Sequence, residues 1–184
     1  MSVDSDDFNK EYESMFRGEL LKKEYLILYK IGAGTFSTVW LALDIKKNKY
    51  YAIKIQNEDE YDSGVEEAKI LVRIQKQPCK YLNNIVDQFE YESDVGLHYC
   101  LVFELMAGCV FDIIHIGKYS DGLPLPIVKK IVQQVLIAMD ILNNKYNLLH
   151  TDIKPENILI KGINHKIREI IETVQKSKEL AKAI

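Results

Sequence analysis

The residues best suited to chemistry lie in one short run, His150-Thr151-Asp152-Ile153-Lys154-Pro155-Glu156-Asn157. A carboxylate, a cation and an amide stand there within six positions. The run cannot be one regular helix, because Pro155 has no backbone N–H and disfavours helical torsions at Lys154. Leu148-Leu149 precedes it and Ile158-Leu159-Ile160 follows, so it is anchored by apolar sequence on both sides. Polar groups held between two such anchors read as a functional loop rather than a surface turn. The chemistry they suit is a carboxylate, Asp152, taking a proton from a hydroxyl, a cation, Lys154, beside a phosphate, and an amide oxygen, Asn157, on a metal ion.

A second candidate lies far upstream, in Gly32-Ala33-Gly34-Thr35-Phe36-Ser37. Glycines let phosphate oxygens approach the backbone and meet its N–H groups. Such a loop is also a common hairpin turn, so its context matters. A dinucleotide-binding fold needs the loop to open a helix and an acidic residue to follow about 20 positions on. Here a strand-like run follows, and the residue at that spacing is Lys54, within Tyr51-Ala52-Ile53-Lys54-Ile55. A lysine embedded in apolar strand sequence is suited to an anion and needs a counter-ion. Glu66 and Glu67 follow on a predicted helix. Glu67 is preferred, because Ile70 and Leu71 at i+3 and i+4 place it beside the apolar face, and Glu66 projects about 100° away.

The elements that must position these groups are legible in part. Residues 1–24 read as an acidic extension with a disordered start and a short helix. Residues 25–31, 37–43 and 50–55 are strand-like, rich in β-branched and aromatic residues between turn residues, and predict an antiparallel meander. Helical spacing recurs over 62–76, ended by Pro78. Residues 85–91 and 97–103 give two further strands. From Val110 the pattern turns helical. Residues 110–116 are short, and 124–146 carry a broad apolar stripe through Ile127, Val128, Ile131, Val132, Val135, Leu136, Met139 and Leu142, suited to burial in a helical layer. Residues 164–184 form a basic amphipathic helix.

The chain has 184 residues and 47% hydrophobic residues, enough for a packed core. A net charge of −3 argues against nucleic acid as partner. No apolar run approaches the roughly 18 residues a membrane span needs. Cys79, Cys100 and Cys109 have no metal-ligand spacing and cannot all pair, which suggests a reducing, intracellular setting, cytoplasmic or nuclear.

The ordered set Gly32-x-Gly34-x-x-Ser37-x-Val39, Ala52-Ile53-Lys54 and His150-x-Asp152-x-Lys154-x-x-Asn157 resembles the eukaryotic-type protein kinases over residues 25–160. Three details resemble the SR-protein kinases in particular: Thr151 after His150, Phe36-Ser37-Thr38-Val39-Trp40, and Gly122-Leu123-Pro124-Leu125-Pro126 with Val128-Lys129-Lys130-Ile131. The resemblance implies an α+β, two-lobe fold: a five-stranded first lobe at 25–106, a partial helical lobe at 107–162, and a spacer-like helix at 163–184. It implies a serine/threonine kinase using ATP and Mg²⁺, acting on protein substrates that include Arg/Ser-rich segments. Ile31, Gly32, Ala33, Gly34, Thr35, Phe36, Ser37, Thr38 and Val39 would cover the ATP phosphates. Lys54, held by Glu67, would contact the α- and β-phosphates. Phe103 would back the adenine pocket, with Glu104 and Met106 offering backbone groups to the base. Asp152 would orient and deprotonate the substrate hydroxyl, Lys154 would steady the γ-phosphate, and Asn157 would hold Mg²⁺.

The family pattern next requires an Asp-Phe-Gly segment, and no aspartate follows Asp152 here. The chain therefore reads as the first part of a spacer-split kinase, with a second chain as one way to complete the helical lobe. The competing reading from another class is an inactive ATP-binding pseudokinase or scaffold fragment.

Overall fold

The structure, a computed structural model, describes residues 16–76, 79–115, 119 and 121–183, with side chains as far as 177. The expectations for residues 1–15, for a helix stop at Pro78, for Ile116 as the end of the short helix, and for the side chains of Leu180 and Ile184 lie outside the described residues. The chain divides between Glu104 and Leu105 into two compact units.

In the first unit the described residues form one antiparallel sheet of six strands. They are β1 (Leu20–Leu21), β2 (Tyr25–Ala33), β3 (Ser37–Asp44), β4 (Lys49–Gln56), β5 (Ile85–Ser93) and β6 (Gly96–Glu104), in the order β1-β2-β3-β4-β6-β5. Helix α1 (Tyr61–Gln75) is inserted after β4 and packs against β5 and β6, reaching β4 at Lys54 and Gln56; Gly64 lets Gln56 and Tyr99 pass beneath it. The strand expectation for 25–103 is met by five of the six strands. The sixth, β1, lies within residues 16–24, where the structure shows a turn and a strand rather than helix. Phe16 to Glu24 folds as a turn and a two-residue strand because it has an apolar anchor to bury. The Phe16 ring is enclosed edge-on by Trp40, Tyr91 and His98, at centroid distances of 5.8, 6.1 and 5.3 Å. Gly18 N donates to Ile27 O and Ile27 N to Glu19 O, both at 2.9 Å, which fixes the segment along β2.

Strand alternation sets the two faces of this sheet. Trp40, Ala42, Ile53, Ile55, Cys100 and Val102 join Phe16, Tyr25 and Ile27 in the core. On β4 the alternate positions Lys54 and Gln56 point the other way, toward α1, where both meet Glu67. The β3–β4 turn is held by Asp44, fully buried, which accepts from the N–H groups of Lys46 at 3.0 Å and Lys47 at 2.8 Å.

The second unit is built from helices and one small sheet. Strands β7 (Met106–Cys109) and β8 (Leu159–Lys161) pair antiparallel, Gly108 opposite Ile160. Their shortness left no periodicity to read in the sequence. Helix α2 (Val110–His115) starts with Asp112 reaching back to Cys109 N at 2.7 Å, a side-chain cap that satisfies an N–H at the helix start. Gly108 has φ +137, and a Cβ there would lie 2.6 Å from Asp112 Oδ2, so this turn requires glycine. Helix α3 (Leu125–Tyr146) begins behind Pro124 and ends at Asn147 in the left-handed conformation, φ 52, with Leu148 N bonded to Leu142 O at 3.0 Å. With Asn147 N bonded to Asn143 O at 3.0 Å, this left-handed closure stops the helix and turns the chain into the polar run. Helix α4 (His165–Ala183) is capped by Asn164, whose Oδ1 accepts from Ile167 N at 2.9 Å while its Nδ2 donates to Ala107 O at 2.9 Å.

Of the apolar stripe of α3 only Leu142 is buried, joined by Ala138 and Tyr146 of the same helix; Leu136 of the stripe, and Leu125 at the helix start, are more than 60% exposed. The burial expected for the whole stripe is not met within this chain. Among the described residues no helix is long and apolar enough to cross a membrane. All three cysteines are free, and burial pushes the Cys100 thiol up to about 12, which leaves it unreactive.

Candidate active site

In the first unit the glycine loop is the turn between β2 and β3. Gly32 pairs with Val39 and Ala33 with Thr38, and Gly34 N donates to Ser37 O at 2.9 Å. Asn57 steadies the loop from the end of β4, through Nδ2 to Thr35 O at 3.2 Å and N to Phe36 O at 3.0 Å. Ile31 lies within β2, and Phe36 stands exposed at the tip. Neither Gly32 nor Gly34 has positive φ. A Cβ on Gly32 would meet Val39 no closer than 3.5 Å, and one on Gly34 would meet only Ser37 O at 3.7 Å, both ordinary contacts. The fold itself therefore calls for glycine at neither position, although Gly32, within β2, costs about 0.5–1 kcal/mol relative to alanine in a strand.

Lys54 lies on β4 between Val39 of β3 and Leu101 of β6. Its Nζ is 2.6 Å from Glu67 Oε2 on α1. Glu66, one residue earlier on the helix, pairs instead with Lys69 on the outer surface. The difference follows from the helical turn of about 100° per residue. Sequence reasoning missed a third member of this cluster. Gln56, 4% exposed, donates from Nε2 to the same Glu67 oxygen at 3.0 Å. Its position two residues beyond Lys54, on the same strand face, was the available signal. Phe103 is buried on β6 opposite Ala52 and Ile85. Glu104 ends β6 and accepts from Lys49 Nζ at 3.3 Å, and Met106 opens β7.

In the second unit the loop after α3 gathers Asp152, Lys154 and Asn157. Lys154 Nζ lies 3.0 Å from Asp152 Oδ2. Asn157 Nδ2 donates to the same oxygen at 2.8 Å and to Asp152 O at 2.9 Å. Pro155–Asn157 is a single 3₁₀ turn, and Lys154 before it is extended, φ −150 and ψ 163, as a residue preceding proline must be. Asp152 N donates to His150 O at 2.8 Å, closing a tight bend at Thr151. Thr151 has φ 61, a strained conformation for a β-branched residue that persists because the flanking bonds over-determine it. The hydrogen bond from Lys154, aided by Asn157, holds the Asp152 carboxyl below the usual aspartate range, so the group is a carboxylate at neutral pH. Both contacts fall on Oδ2; among the described residues no donor is placed on Oδ1. With its amide nitrogen committed to Asp152, Asn157 has its carbonyl oxygen to offer a hard cation. Among the described residues no group of three His, Cys, Asp or Glu side chains gathers to hold a metal.

Comparison with known proteins places this arrangement in a class. The protein kinase domain family matches residues 25–171, so the chain belongs to the protein kinases. Within the serine/threonine kinases it stands close to the SR-protein kinase group. It is 36% identical over 163 residues to the serine/threonine-protein kinase SRPK of Physarum polycephalum, covering 85% of this chain and 38% of that protein. It is 33% identical over 186 residues to the serine/threonine-protein kinase SKY1 of Saccharomyces cerevisiae, covering 94% of this chain and 25% of that one. The crystal structure of a kinase domain superposes with a TM-score of 0.70 at 33% identity, over 79% of this chain and 42% of the other. The α+β kinase fold is thus common to both, and the chain spans well under half the length of these relatives.

Proposed function

We propose that the chain carries the ATP-holding and catalytic-loop parts of a serine/threonine kinase that transfers the γ-phosphate of ATP to a protein hydroxyl. The observation that supports this best is the glycine loop. Two glycines sit where the fold requires none, in a turn next to Lys54, which leaves room for a phosphate oxygen to reach the backbone N–H groups. In this reading residues Ile31 to Val39 cover the phosphates and Lys54, fixed by Glu67, contacts the α- and β-phosphates. Glu104 and Met106 meet the adenine through their backbones, and Phe103 backs it.

Asp152 accepts a hydrogen bond from the substrate hydroxyl, orients its oxygen, and takes the proton as the P–O bond forms. Its low proton affinity suits orientation first and proton acceptance late. Lys154 steadies the γ-phosphate as charge moves onto the leaving oxygen. Protein kinases as a family use ATP with Mg²⁺. The amide oxygen of Asn157 fits one position of such an ion, and the donor set described here supplies no carboxylate cluster for the rest. When bound, the ion neutralises charge on the β- and γ-phosphates.

The exposed face of α3, at Leu125, Val132 and Leu136, is the place for further helical-lobe polypeptide, from this protein or a second chain, to pack. The likeness to SRPK and SKY1 supports Arg/Ser-rich protein substrates and an intracellular setting, cytoplasmic or nuclear. The test is transfer of labelled γ-phosphate to an Arg/Ser-repeat peptide with Mg²⁺. Asp152→Asn should lower transfer about 10²-fold or more. Undiminished transfer by that variant, or equal labelling of a peptide with every serine replaced by alanine, would overturn the assignment.

A further inference from the structure

Gln56 has no role in the reading above, yet its surroundings are built around it. It is the last residue of β4, opposite Ser37, and 4% exposed. Its Nε2 donates to Glu67 Oε2 at 3.0 Å, the oxygen that Lys54 Nζ meets at 2.6 Å. Its Oε1 is buried and has no hydrogen-bond partner among the described residues. An apolar side chain would leave no such orphan, so a role in folding alone does not account for an amide there. The backbone of Gln56 is held as well. Its carbonyl accepts from Nδ1 of His98, 2.8 Å away and fully buried. A carbonyl can only accept, which places the proton on Nδ1, while Nε2 of the ring meets Ser93 Oγ at 2.8 Å. Above Gln56, α1 carries a glycine: a Cβ on Gly64 would fall 2.7 Å from Gln56 Cγ. The helix lies close over this side chain at one turn and receives its hydrogen bond at the next.

We infer that Gln56 is a positioning residue that holds Glu67, and with it α1, in register with Lys54. Two donors on one carboxylate oxygen fix it more tightly than a single flexible ammonium can. The amide works from a strand whose backbone is itself anchored by His98. The ion pair leaves Lys54 26% and Glu67 36% exposed, so a lone pair there would be weakened by solvent and side-chain freedom. The consequence for phosphate binding rests on the kinase reading; the consequence for α1 does not.

The experiment therefore has two readouts on the full chain, hydrogen exchange over α1 and affinity for ATP. Gln56→Leu should speed amide exchange in 61–75 about tenfold, as loss of one hydrogen bond to a charged group implies, with exchange in β2 and β3 unchanged. It should weaken ATP binding by a similar factor. The reversed pair Gln56→Glu with Glu67→Gln restores an amide-to-carboxylate bond between the two positions and keeps a carboxylate two residues from Lys54. It should recover the exchange protection that Glu67→Gln alone loses. Unchanged exchange in Gln56→Leu, or faster exchange across the whole sheet, would overturn the inference. If the unmodified chain binds no ATP, the nucleotide reading fails while the exchange data still decide the role of Gln56.

Discussion

Replacing Gly64 by alanine sets two effects against each other. In a helix interior alanine is favoured over glycine by about 1 kcal/mol. Here the added Cβ would lie 2.7 Å from Gln56 Cγ and 2.9 Å from Tyr99 Cβ. Each is about 0.6–0.8 Å inside the ~3.5 Å at which carbon atoms pack. Tyr99 Cβ is fixed to the β6 backbone and cannot swing away, so α1 must move. Overpacking of this kind costs about 1–3 kcal/mol, which outweighs the propensity gain and leaves a net loss near 1 kcal/mol. For a chain of this length the melting temperature should fall by about 3 °C. Glu67 lies three residues on, on the same side of the helix, so its carboxylate should move off Lys54 and ATP affinity should drop about tenfold. Thermal unfolding with and without ATP measures both. A melting temperature that rises by a few degrees, with ATP binding intact, would show that α1 is not held against β4 and β6 as described.

Other perturbations separate fold from function. Gly34→Ala should leave thermal stability within about 0.5 kcal/mol of the original or slightly above it, since its Cβ meets only an ordinary contact, while weakening ATP binding in a titration. Asp152 should titrate below an ordinary aspartate when followed by carboxyl NMR. Its depressed value means the interaction is complete at neutral pH and is lost only as pH falls through that value; Lys154→Met should move the midpoint up, because Lys154 is the main cause. Leu142→Ala, in the buried part of α3, should cost about 2–5 kcal/mol in a denaturant melt, whereas Leu136→Ala, 62% exposed, should stay within about 0.5 kcal/mol.

The long elements were legible because their composition and period agree. Val39, Trp40 and Leu41 mark β3, and the apolar period read over 124–146 matches α3. What escaped was set by contacts distant in sequence. Leu20–Leu21 is too short to alternate and becomes a strand only because Phe16 beside it buries against Trp40 and His98. β7 and β8 are likewise short and defined by their pairing across 50 residues of chain. The catalytic-type loop could be read as a set of residue types. Its internal geometry, with both Lys154 and Asn157 on one oxygen of Asp152, depends on the bend at Thr151, whose φ of 61 no propensity would suggest. Gln56 reads in sequence as a strand end, and only the approach of α1 gives its amide a partner. The stripe on α3 was readable as apolar, but burial depends on what packs against it, and periodicity carries no such information.

The central claim is that the glycine loop and Lys54 form a site for the phosphates of ATP. Calorimetric titration of the chain with ATP and Mg²⁺, alongside Lys54→Met, tests it most directly. Saturable one-to-one binding, weakened about tenfold or more in the variant, is the predicted result. Absence of binding, or equal affinity in the two proteins, would contradict it.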